Sequence, residues 1–105
     1  MRQYTDPTET LFIPGYSLED AQRVFVSFSD RCRKHVLTVS DNITIEDSNS
    51  GSTLFVNLNQ EQTGMFKSKE PVDVQVNWIA SSGARIATEI VTIPCWENLI
   101  KEVVY

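Results

Sequence analysis

The chain is written in short runs where apolar and polar side chains alternate. In "TETLFI", residues 8–13, Leu11 and Ile13 fall on one side and Thr10 and Phe12 on the other. "RVFVSFS", residues 23–29, sets Val24, Val26 and Phe28 against Phe25, Ser27 and Ser29. "STLFVNLN", residues 52–59, sets Leu54, Val56 and Leu58 against Phe55, Asn57 and Asn59. In "VDVQVNWIA", residues 72–80, Val72, Val74, Val76 and Trp78 make an unbroken apolar face opposite Asp73, Gln75 and Asn77. A period of two, carried by β-branched and aromatic residues, marks a strand with one buried face.

Three further runs are weaker. "KHVLTV", residues 34–39, leaves open whether Val36 or Leu37 faces inward, and "NITIE", residues 42–46, puts Ile43 and Ile45 together. "ARIATEIVTI", residues 84–93, alternates Ile86, Thr88, Ile90 and Thr92 with Ala87, Glu89, Val91 and Ile93, so its buried face is ambiguous. Turn chemistry separates the runs: Pro14–Gly15, "DRCR" at 30–33, "DSNSG" at 47–51, "SSG" at 81–83, and Pro94, which lacks a ladder donor.

Helix is expected only in fragments. In "YSLEDAQR" Ser17 is placed to cap one turn, with Glu19 and Asp20 near its positive end. In "LNQEQTGMF", residues 58–66, Asn59 and Gln62 have the spacing of a reciprocal capping box, Glu61 lies in the first turn, and Met65 and Phe66 would drop onto the sheet. The tail "CWENLIKEVVY" fits a short amphipathic helix or a last edge strand, since Leu99, Ile100 and Val103 suit either. These elements predict an all-β, immunoglobulin-like sandwich of about seven short strands, with a one-turn helix near residues 60–65.

Composition narrows this picture. A length of 105 residues suits a single domain, residues 1–105, and 41% hydrophobic with 22% charged residues is globular rather than disordered. The net charge of -5 leaves basic clusters only at Arg31, Arg33 and Lys34 and at Lys67 and Lys69, so no nucleic-acid partner is expected. No apolar run approaches the roughly 20 residues that span a bilayer, and "MRQYTDPTET" lacks a signal-peptide core. The expected product is soluble, made in the cytoplasm, and without a membrane partner. Cys32 and Cys95, far apart and without paired spacing, leave a disulfide between them open, with two free thiols expected if the protein works inside cells.

Reactive constellations are thin. The one histidine, His35, follows Cys32 by three positions, but a hairpin explains that spacing and no oxyanion-hole motif accompanies it. Zinc on Cys32, His35 and Cys95 would need a fourth ligand, such as a carboxylate, in closed tetrahedral geometry. Neighbouring carboxylates such as Glu19 with Asp20, or Asp6 with Glu9, read as solvated loop charges, and "NIT" at 42–44 as a chance glycosylation triplet. No catalytic, cofactor-binding or metal residues are assigned, and no enzyme is expected. Trp78 reads as core. Tyr16, Trp96, Leu99 and Tyr105 are the candidate interface residues, because exposed aromatics anchor interfaces.

The order of pieces carries a resemblance. "LNQEQTGMF", a short gap to "VDVQVNW", then "SSGARIATEIVTI" and "WENLIKEVV" resemble a family of small proteins encoded beside tail and baseplate genes in phages and prophages of Gram-positive bacteria. "PTETLFIPGY" and "VFVSFSD" are similar to that family's opening strands. Asn59, Gln62, Asn77 and Asp30 stand where the family pattern has Thr, Glu, Arg and Gln. The N-terminal domain of phage baseplate upper proteins is similar at a greater distance. The resemblance implies a non-enzymatic structural or interaction protein, a tail or baseplate component or assembly factor. Its partners would be tail or baseplate proteins or further copies of itself, and its location the virion or the host cytoplasm during assembly. The alternative is a module that recognises a host-surface carbohydrate or protein.

Overall fold

The computed structural model describes residues 1–31, 33, 36–66, 70–88 and 90–95. It is an all-β sandwich of two antiparallel sheets. The smaller contains β1 (Thr8–Pro14), β4 (Ile43–Ser48) and β5 (Gly51–Asn57) in the order β1-β5-β4. The larger contains β2 (Arg23–Asp30), β3 (Val36–Val39), β6 (Val72–Ile79), β7 (Arg85–Ala87) and β8 (Val91–Ile93), ordered β3-β2-β6-β7 with β8 also on β6. The single described helix, α1 (Gln60–Gly64), carries the chain from β5 in one sheet to β6 in the other.

Inward-facing residues of both sheets form one core. Leu54 and Val56 of β5, Val26 and Phe28 of β2, and Val72, Val74, Val76 and Trp78 of β6 are all buried in it. These are the apolar faces predicted by the alternation. The register left open in β3 resolves with Leu37 and Val39 inward and Val36 outward. Gly51 is required by close approach: a Cβ there would lie 2.2 Å from the Ile13 carbonyl oxygen, where β1 and β5 meet.

The expected single strand over residues 84–93 is two strands, which makes eight described strands where about seven were expected. β7 pairs Ile86 with Trp78 and Asn77 with Ala87, whereas β8 pairs Val91 with Val74 and Ile93 with Val72. The register slips by one residue between the two ladders, the signature of a bulge. Side chains repair the interrupted bonding, because the Val76 N–H donates to Thr88 Oγ1 at 3.1 Å and Gln75 Nε2 donates to the Thr88 carbonyl at 2.9 Å. The slip also moves the inward set from Ile86 to Val91 and Ile93, which is why neither parity of the sequence gave one apolar face.

The capping box forms as expected. Asn59 Oδ1 accepts the Gln62 N–H at 2.9 Å and Gln62 Oε1 accepts the Asn59 N–H at 2.9 Å. Phe66 is buried, but Met65 is 37% exposed and does not reach the core. The helix instead holds the N-terminal segment: Thr63 Oγ1 accepts the Thr5 N–H and donates to the Thr5 carbonyl, both at 3.0 Å. Tyr4 lies so close over Gly64 that a Cβ would meet its ring at 2.4 Å. A single turn does follow Ser17, closed by the Ala21 N–H on the Leu18 carbonyl at 3.1 Å, but the Ser17 hydroxyl donates to Asp47 instead of capping it.

Leu54→Ala, at the centre of β5, is expected to destabilise the fold by about 2–5 kcal/mol. Asn59→Ala is expected to cost about 1 kcal/mol through loss of the cap. Urea unfolding at neutral pH measures both.

Candidate functional site: an apolar cleft between two sheet edges

β1 is the outer strand of the three-stranded sheet, and its pairing with β5 fixes which backbone groups are used. Leu58 N donates to the Pro7 carbonyl and Gly15 N to the Ser50 carbonyl, at 3.0 and 2.9 Å, in the same register as the strand pairs. In an antiparallel ladder this phase gives Glu9, Leu11 and Ile13 to β5 and points the backbone groups of Thr8, Thr10 and Phe12 the other way. Pro14 falls in the outward phase, so its missing N–H costs no bond.

Below that free edge the chain leaves a cleft of about 540 Å³. Leu11 and Ile13 form one wall, and Val74, Val76, Val91 and Ile93 form the other. Phe12, Tyr16 and Ile90 stand at its rim. Phe12 is 53% exposed, Tyr16 47%, Ile90 53% and Val91 55%. The described lining contains no charged side chain. Val91 lies opposite buried Val74, so it belongs to the inward set, yet more than half of it meets solvent because the cleft leaves it uncovered.

A polar knot positions the rim at Tyr16. The Leu18 N–H donates to Ser52 Oγ at 2.9 Å, and the Ser17 hydroxyl donates to Asp47. The buried Ser52 hydroxyl has one proton and two acceptors near it, Asp47 Oδ1 at 2.6 Å and the Tyr16 carbonyl at 2.8 Å. The Tyr16 ring meets Trp78 edge-on, with centroids 5.0 Å apart. The Ser17 and Ser52 hydroxyls, which favour the carboxylate, hold Asp47 below its ordinary pKa. At the other end of β1 the Met1 amine lies 3.3 Å from Glu9 and donates to the Pro94 carbonyl at 3.0 Å, tying β1 to the chain just beyond β8.

Of the sequence-predicted interface residues, Tyr16 lines this cleft, whereas Trp96, Leu99 and Tyr105 lie outside the described residues. Cys32 and His35 also lie outside them, and Cys95 is buried. Among the described residues no group of three His, Cys, Asp or Glu side chains could hold a metal ion, and no helix is long and apolar enough to cross a membrane. Arg31 and Arg33, from the basic cluster, both reach Asp73, at 3.8 and 3.2 Å. Sequence reasoning missed Phe12, Ile90 and Val91. The two signals available were Pro14, which marks an edge strand, and the double apolar parity of residues 84–93. Comparison with known proteins found no matching family profile, curated protein or solved structure.

Because the Asp47 pKa is lowered in the folded state, its contribution to stability is present above the unfolded value of about 3.9 and is lost as pH falls through the folded one. Asp47→Asn is therefore expected to be less stable than the parent at pH 7, with the gap closing below about pH 4. Urea midpoints across that range measure it, and a gap independent of pH would remove the carboxylate from the account.

Proposed function

We propose that this is a non-enzymatic structural or interaction protein of phage origin, a tail or baseplate component or assembly factor, that engages its partners through the cleft between β1 and β8. The observation that carries the reading is the concentration of exposed apolar surface. Of the six large hydrophobic residues exposed among the described residues, four (Phe12, Tyr16, Ile90 and Val91) lie at this one cleft. Scattered single exposures are ordinary on a protein surface, whereas a contiguous group marks an interaction site.

The chemistry of the cleft suits binding. The described lining is mainly Leu, Ile, Val, Phe and Tyr, with Thr10, Pro14 and Thr88, and such a surface suits apolar contact. It offers apolar area beside a strand edge unpaired among the described residues, which is what an assembling subunit presents. The tail-and-baseplate setting rests on the resemblance carried by "LNQEQTGMF" and the segments after it. On this reading the protein belongs to the virion, or to the host cytoplasm during assembly.

Purified particles from prophage-induced cells test it. The chain is expected to be recovered with tail or baseplate proteins, and Val91→Asp, which puts a charge in the cleft, to be depleted from them by about tenfold or more while remaining folded. Recovery of neither the chain nor any tail protein in its pull-down would sink the proposal.

A further inference from the structure

The free edge and the cleft constrain what can occupy them. Thr8, Thr10 and Phe12 present three backbone N–H groups and their carbonyls in alternation on the outer side of β1. An occupant that satisfies them is itself an extended strand, and in a sheet its alternate side chains follow Leu11 and Ile13 inward. The described lining has no charged side chain, so it favours apolar inward residues; β1 itself carries Leu11 and Ile13 on that parity, with Glu9, held by the Met1 amine at 3.3 Å, as its one charged member.

From these constraints we infer that the occupant is β1 of a second copy of this chain, paired antiparallel about a two-fold axis. It rests on the interaction reading of the cleft and names its partner. The edge is self-complementary. With Thr10 opposite its symmetry mate, Thr8 meets Phe12 of the other copy, so each of the three donors finds one of the three matching carbonyls. No other antiparallel register saturates all three without drawing on residues beyond them. The same operation joins the three-stranded sheets edge to edge and brings the two apolar rims together.

The area agrees with a modest affinity. Two half-exposed aromatic and two half-exposed aliphatic side chains per copy, with the strand backbone between them, give a two-copy interface of roughly 1,000 Å². That is at the lower limit for specific pairing.

Analytical ultracentrifugation of the full chain provides the test. The expected result is a mass that rises from one chain to two over the micromolar range. Thr10→Pro, which removes an N–H that no bond within the fold uses, weakens the dimer about tenfold or more. Val36→Asp, on the opposite edge of the larger sheet, leaves it unchanged. Thr10→Cys gives an independent reading, because hydrogen-bonded partners in such a pair sit with Cα atoms about 5.5 Å apart, within disulfide reach. Mild oxidation is expected to yield a covalent dimer whose bridge maps to residue 10 of both copies.

A chain that stays monomeric into the millimolar range overturns the inference, whether residues 96–105 or an extended peptide from another protein fills the cleft. So does a dimer indifferent to Thr10→Pro that gives no bridge at residue 10. The two proposals fail separately: a monomer still recovered in particles removes the dimer alone, and a dimer absent from particles removes the assembly role alone.

Discussion

The burial of three strands, β5 from one sheet and β2 and β6 from the other, is the constraint on which the rest of the structure depends. Their inward faces supply most of the fully covered side chains, including Leu54, Val56, Val26, Phe28 and Val74. A sandwich closed on strands this short keeps its centre dry and has little apolar area left for its margins. Both β1 and the β7–β8 strand therefore end up as edges on the same side, and their inward residues meet each other less completely than those of the central strands do.

Polar groups near these edges are satisfied by side chains where the backbone cannot do it. The bulge between β7 and β8 would leave the Val76 N–H and the Thr88 carbonyl without ladder partners, and Thr88 Oγ1 and Gln75 take them up. The crossing from β1 to β2 would leave the Leu18 N–H without one, and Ser52 and Asp47 supply it. Among the described residues no buried side-chain nitrogen or oxygen lacks a partner. Such repairs matter more than their number suggests, because a buried unsatisfied group costs about 1–3 kcal/mol.

Much of the fold was legible because the central strands have only one way to sit. Four apolar residues at period two in residues 72–78 and three in 54–58 leave no second register, and the Asn59–Gln62 spacing announced its helix turn. Reading failed where the partner of a residue is remote in sequence. Ser17 carries a capping signature and a turn follows it at 18–21, but Asp47, thirty residues on, takes its hydroxyl instead. Residues 84–93 carry apolar residues at both parities because the strand changes face midway, and period counting assumes that it does not. The cleft was legible only at Tyr16. Its other rim residues look like ordinary strand positions until two edges from opposite halves of the chain are brought side by side.

The clamp between α1 and the N-terminal segment bears on the order in which the molecule can assemble itself. Thr63 holds Thr5 across 58 residues, and Met1 is tied to Pro94 across 93. Closing loops of that length costs chain entropy before any contact repays it, which puts the chain among slowly folding β topologies. The long-range contacts of the segment before β1 form only once α1 is in place, and the one to Pro94 only after β8. The segment before β1 is thus secured only after most of the strands beyond it, and β1, which follows it directly, spends that interval as an unshielded strand.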